Sequence, residues 1–367
     1  MPSLGRWGRL GSRAPRLLLA ETNPYASRRV VVEADRVTTM AYLLDASEQL
    51  CGWVWLANHV PAPPDLDRSR AADGRPPPMP ARWTKHPEGR RPLSRRSFEV
   101  VWFEEGDAVA LFAERKLLAV IPAGTGDDSP GYAAESRGAT PLAWPLDEAA
   151  PRLGPWIERS RDFWRWRLAT NTWRVYQREL LDHLAERLGA GGRYWPVDDA
   201  PLPAVGATEH LPTADRPFTI VSTVGMSCQR MPVPDTQPGD DNGYQHGRIE
   251  LALATRGPTE DALPIFRQLA TYPWRACTWL AHGHHVRLGE GPWVREGHRG
   301  VLILGDPSLL PGPLPPDLAG FSLRGDTVRW LWLVPLSASE CDLANREGAR
   351  ALVDELSLAG RSWVLGL

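Results

Sequence analysis

The most constraining feature of the sequence is a strand that runs directly into a capped helix. Val328 to Val334 is apolar on both faces apart from Arg329, as expected of a central strand covered on both sides. Ser337-Ala338-Ser339-Glu340 follows at once and has the spacing of a capping box, in which the serine hydroxyl and the glutamate carboxylate satisfy the first amides of a helix. That helix is expected to reach about Ala359, with Gly360 as its stop and Trp363 to Leu365 as a last edge strand. A strand and helix joined this tightly call for an α/β layer architecture.

The preceding sequence agrees. Phe218 to Val224 and Arg248 to Thr255 read as strands, the second entered from the polar loop Pro238-Gly239-Asp240-Asp241-Asn242-Gly243. Thr259 is the expected N-cap of a helix running to about Tyr272, with Glu260 and Asp261 at its positive end. Val301 to Leu304 reads as a short strand. Between Trp156 and Leu188 apolar residues recur at helical spacing, and Gly189 ends the pattern.

Upstream, the chain reads as β-rich. Strands are expected at Arg29 to Glu33, Thr38 to Leu44 and Cys51 to His59, then as a meander over Ser97 to Phe103, Ala108 to Phe112 and Leu117 to Ile121. Residues 60–80 and 122–140 read as long loops, functional or disordered. The expected organisation is a disordered Arg/Gly-rich tail over 1–24, a β-rich domain over 25–150 and a mixed α/β (α+β) domain over 151–367, a mixed sheet with flanking helices.

Bulk properties exclude several classes. A formal net charge of −2 gives no field that would draw the chain to nucleic acid or an anionic membrane. No apolar run reaches the roughly 18 residues of a membrane span, and Leu17-Leu18-Leu19-Ala20 is too short for a signal-peptide core. The four cysteines, Cys51, Cys228, Cys277 and Cys341, form no CxxC pair, which fits reduced thiols in a cytoplasm. Only Lys85 and Lys116 are lysines; with abundant Pro, Ala and Gly this suggests a GC-rich bacterial genome. The 17 tryptophans are expected mostly in cores, with a minority lining a recognition groove.

Chemistry-bearing clusters are few. His282, His284 and His285, with His298 nearby, are the candidate zinc or copper ligands. On a strand, His282 and His284 would share a face and His285 would point away, so plain surface or strand histidines are the simpler reading. Cys228 lacks any local sign of a histidine partner, and Ser222 and Ser227 lie in no nucleophile elbow. Glu104 and Glu105 beside Gly106 read as a solvated hairpin tip. The Asp240-Asp241-Asn242 loop lacks the spacing of a calcium site. Phe163-Trp164-Arg165-Trp166-Arg167 interleaves aromatic and basic residues as nucleic-acid binders do, but helical spacing favours packing on a sheet with arginines at the rim. No catalytic residue or cofactor is expected.

Four stretches carry a family resemblance: Ile220-Val221-Ser222-Thr223-Val224-Gly225-Met226-Ser227, Arg248-Ile249-Glu250-Leu251-Ala252-Leu253, His282-Gly283-His284-His285-Val286 and Trp330 to Glu340. In order and spacing they resemble the Suppressor-of-fused (SUFU) family, bacterial members especially, over about residues 155–367. The resemblance implies a domain that binds a protein partner by accepting an extended segment. Bacterial relatives are read as immunity proteins that sequester a toxin domain. Two other readings stay open: a metal-dependent hydrolase using His282 and His284, and an adaptor in a bacterial defence or biosynthetic system.

Overall fold

The computed structural model describes residues 15–72, 75–94, 98–123, 130–198, 202–232, 247–289 and 297–366. The chain divides by its contacts into two units, Met1–Leu168 and Ala169–Leu367.

The first unit is a sandwich with a helix laid on its second sheet. Strands β1 (Arg16–Thr22), β2 (Arg28–Ala34), β3 (Thr38–Asp45) and β4 (Leu50–Asn58) form an antiparallel meander. Strands β5 (Phe98–Trp102), β6 (Val109–Ala113), β7 (Lys116–Ile121), β8 (Tyr132–Ala133) and β9 (Trp144–Pro145) form a second sheet in that order. Their facing sides share one core, in which Val30, Val32, Val54 and Trp55 meet Trp102, Leu111, Ala119 and Ile121. The tight turn at Glu114-Arg115 has φ of 50° and 67°, the double left-handed geometry that matches strand twist. The short helix α1 (Arg68–Ala72) lies in the loop after β4.

Helix α2 (Leu146–Arg167) covers the other face of the second sheet, with Leu146, Ala149, Leu153 and Ile157 packed on Val101, Phe103, Ala110, Phe112 and Val120. It therefore belongs with the β-rich unit, and contacts divide the chain after Leu168 rather than near residue 150. Its apolar stripe shows in the sequence; which sheet receives the stripe does not.

Three expectations are corrected in this unit. Residues 16–22, expected in a disordered tail, form β1: Leu18 enters the sandwich core and β2 supplies the backbone partner. Glu104, expected at a solvated tip, is buried; its carbonyl accepts the Tyr25 hydroxyl at 2.8 Å and its amide donates to Ser160 Oγ at 3.3 Å. Part of the loop over 60–80, expected to be functional or disordered, is packed in place, with Asn58 accepting from Met79 N and donating to Met79 O, both at 2.8 Å.

The second unit opens with helix α3 (Thr172–Leu188), whose buried residues Tyr176, Leu180, Leu184 and Leu188 repeat every fourth position. Its sheet is built from β10 (Tyr194–Pro196), β11 (Gly206–His210), β12 (Thr219–Val224), β13 (Ile249–Thr255), β14 (His285–Arg287), β15 (His298–Leu304) and β18 (Arg329–Ser337). The order is β10-β11-β12-β13-β18-β15-β14, antiparallel except for the central β13–β18 pair. Every residue of β12 and β13 is buried, as strands covered on both faces require. Strands β16 (Ser322–Leu323) and β17 (Asp326–Thr327) form a separate hairpin.

Two short helices, α4 (Leu263–Leu269) and α5 (Tyr272–Ala276), replace the single helix expected after Thr259. Thr259 does not cap; its hydroxyl donates to buried Glu209 at 2.7 Å. The last helix, α6 (Ala338–Leu358), starts on the expected capping box: Glu340 N donates to Ser337 Oγ and Ser337 N donates to Glu340 Oε2. It is interrupted at Gly348, where φ is 86° and ψ is 170°. Leu365 then bridges Thr255 in parallel. The fold is thus a mixed α+β unit preceded by a β-rich one.

Candidate interaction surface

The histidines do not converge. Among the described residues no group of three or more His, Cys, Asp or Glu side chains is placed to hold a metal ion. Gly283 adopts φ 82°, so His282 and His284 flank a turn, and strand alternation applies only from His285 onward. His282 Nδ1 accepts from Gly305 N at 3.2 Å, His284 packs edge-on against Trp279, and His285 Nε2 meets Asn345 Oδ1 at 2.9 Å. Burial holds the His284 imidazole below its ordinary pKa. His298 lies elsewhere, beside a pocket of about 250 Å³ lined also by Val334, Pro335, Arg361, Trp363 and Leu365. Arg361 there donates to Pro335 O at 3.0 Å and pairs with Glu340 at 3.6 Å.

Other sequence candidates are internal. Cys228, Ser222 and Ser227 are all fully buried. The Phe163–Arg167 cluster is spent on the β-rich unit: Phe163 is buried, Trp164 Nε1 donates to Trp102 O at 2.8 Å, and Arg167 is itself buried rather than at the rim. The Asp240-Asp241-Asn242 loop lies outside the described residues, and the carboxylate of Asp261 is likewise not described.

What the structure adds is a buried polar centre on β13. Glu250, fully buried, accepts hydrogen bonds from Tyr176 Oη, Thr223 Oγ1, Gly225 N, Ser227 N and Ser227 Oγ at 2.6–3.0 Å. One carboxylate so ties α3, β12 and the turn after β12 to the middle of the sheet. Burial, with the Glu250 charge, raises the Tyr176 phenol well above its ordinary pKa, so it stays a donor. Next to it, Asp326 Oδ2 takes Arg230 at 2.8 Å and Arg248 at 2.9 Å, both guanidiniums buried, which fastens the β16–β17 hairpin to the sheet. These are structural fastenings, with every named side chain buried except the partly buried Asp326. The sequence signal was a lone glutamate inside the apolar run Ile249 to Ala254.

The two sheet edges differ. At β14, the residues facing β15 are His284, Val286 and Leu288, since His284 O accepts from Ile303 N and Leu288 N donates to Arg299 O. The outward row is therefore His285, Arg287 and Gly289. Gln268, from α4, occupies that row: its Nε2 donates to Arg287 O at 2.7 Å and its Oε1 accepts from Gly289 N at 2.9 Å.

At β10, Arg193, Trp195 and Val197 face β11, as the Glu209 N to Arg193 O and Val197 N to Val205 O bonds require. Tyr194 and Pro196 thus turn their backbones outward. Among the described residues nothing pairs with that row, which offers the Tyr194 amide and the carbonyls of Tyr194 and Pro196. Pro196 removes one donor from the edge at the position where a proline breaks no ladder bond. The rim is aromatic and charged: the Arg193 guanidinium lies 5.4 Å from the Trp195 ring, and pairs with Glu209 at 3.2 Å and Glu260 at 2.5 Å. The Tyr194 ring lies over Gly206, leaving no room for a Cβ there. No sequence reading marked β10, because three residues in a Gly/Pro context have no period of their own.

A mixed sheet covered by helices, with Gln268 bonded along one edge and, among the described residues, no strand paired along the other, is the class of domain that the second unit defines. Within it, residues 205–367 match the family model described as Suppressor of fused protein (SUFU), which the C-terminal part resembles. A SUFU (suppressor of fused protein) homolog from Neisseria gonorrhoeae FA 1090 is similar at 18% identity and a TM-score of 0.38, over 52% of this chain and 93% of that one. The Sufu–Fu complex gives 15% identity and 0.34 over 49% of this chain and 82% of that one. Drosophila Suppressor of Fused gives 13% and 0.33 over 52% of this chain and 49% of that one, so the match spans about half of the fly protein. No curated protein matches the chain. No helix among the described residues is long and apolar enough to cross a membrane.

Proposed function

We propose that this protein is an interaction module that sequesters a partner by pairing an extended segment of it with the β10 edge. The observation that carries the reading is the outward row of Tyr194 and Pro196, unpaired among the described residues and rimmed by Trp195 and Arg193. Backbone hydrogen bonds would supply affinity, and contacts with alternate side chains of the segment would supply selectivity. The match of residues 205–367 to the SUFU family and the existence of a Sufu–Fu complex support a protein partner. A toxin domain is the partner class proposed, with the chain acting as its immunity protein.

The test is a pair of substitutions at one residue. Tyr194→Pro removes the outward amide but leaves the β10–β11 ladder donors in place, whereas Tyr194→Ala removes only the side chain. Co-expressed with each of a panel of bacterial toxin domains, the parent chain and Y194A should protect growth against at least one and retain that toxin in pull-down. Y194P should lose both while melting within a few degrees of Y194A. Equal protection by Y194P would sink the edge-pairing reading.

A further inference from the structure

The opposite edge of the same sheet bears a feature that no family likeness explains. Gln268 places its carboxamide against β14 with one donor and one acceptor, contacting Arg287 O at 2.7 Å and Gly289 N at 2.9 Å. These two groups belong to the outward row, because the intervening Leu288 gives its amide to Arg299 O on β15. An arriving strand would present a peptide N–H to Arg287 O and a peptide C=O to Gly289 N. In a strand these come from two successive peptides, because a trans peptide points its N–H and C=O apart; the one carboxamide of Gln268 fills both positions.

Its support is a packed helix. Gln268 projects from α4 between the buried residues Phe266 and Leu269, while the glutamine itself is exposed. The bonds are solvent-exposed, and each contributes only about 0.5–1.5 kcal/mol to stability. A stabilising role is therefore a weak account of the geometry. An exposed strand edge, by contrast, is a template on which other chains add, and proteins block such edges with covering groups.

We infer that Gln268 is an edge lock: it closes β14 to strand addition and leaves β10 as the edge of this seven-stranded sheet that takes an extended segment. The occupant it excludes is the β14 of a second copy of this chain, since two identical edges can meet antiparallel about a two-fold axis. The inference bears on the proposed function by explaining why one edge is used, but its test needs no partner.

Two variants of the full chain carry the test: Gln268→Ala, and Gln268→Leu, which keeps the bulk without the hydrogen bonds. Exchange of the Gly289 amide, followed by NMR, should quicken about tenfold in both, while the melting temperature stays within a few degrees. Sedimentation velocity should show each variant forming dimers at protein concentrations where the parent chain remains smaller. Sedimentation identical to the parent, with or without faster exchange at Gly289, overturns the lock. Failure of Y194P to lose partner binding would bear on the β10 reading alone and leave this result standing.

Discussion

At the scale of single residues the second unit depends on a few enclosed polar groups. Glu250 is the most exacting, since its fully buried carboxylate answers several donors at once. Glu250→Gln would turn an NH2 group toward those donors, at a cost of about 3 kcal/mol or more. Tyr176→Phe deletes one donor and should cost about 1–2 kcal/mol. Urea unfolding of the two variants should reproduce that order. His210 makes a pH prediction. Burial holds its pKa down, the Nδ1 bond to Gly189 O at 2.9 Å opposes this, and the Arg216 charge adds to the depression; among the described residues Nε2 meets no partner. The folded state therefore binds the proton less well than the unfolded chain. Stability from this group is complete above the unfolded value of about 6.5 and erodes as pH falls below it. In His210→Asn the loss of urea midpoint between pH 7 and pH 5 should be smaller than in the parent. The sequence made Glu250 conspicuous but not its donors, which lie far apart in the chain.

At the scale of elements, local signals were legible and long-range pairings were not. The strand at Val328 and the capping box at Ser337 need only their own neighbours, and both are present. Ser337→Ala should cost about 1 kcal/mol, seen as a lower melting temperature. The break at Gly348 was not foreseen, because glycine inside a helical pattern is usually tolerated. It yields a prediction with a definite sign. In an unbroken helix Gly348→Ala would stabilise by about 1 kcal/mol. At φ 86° and ψ 170° an alanine is strained even though no atom crowds it, so G348A should destabilise by about 1–3 kcal/mol. Strands β1 and β10 escaped notice for a shared reason: each is defined by the strand beside it. The same holds for the candidate site, where the outward or inward sense of a backbone group depends on register.

At the scale of the whole molecule, the sequence conveyed two kinds of architecture and their order but misassigned α2. The helix covers Val101, Phe103, Phe112 and Val120 on the second sheet, and each such side chain gains about 1.5–3 kcal/mol on full burial. A fragment of residues 1–150 should accordingly expose that face, bind an apolar dye and aggregate, whereas residues 1–168 should elute as a single sharp species. Residues 169–367 should unfold cooperatively alone; if they do so only when α2 is included, the division after Leu168 is wrong.

The position of β18 has a consequence for how the protein is made. It joins β13 to β15, yet it follows every other strand of its sheet in the chain. On a ribosome, β10 to β13 and the β14–β15 pair emerge as two unjoined pieces, each with an apolar edge waiting. Only when residues 329–337 leave the exit tunnel does the sheet become one object. A nonsense codon in this region would therefore do more than shorten the protein: it would release two sticky half-sheets, and the cell would meet them as substrates for chaperones and proteases.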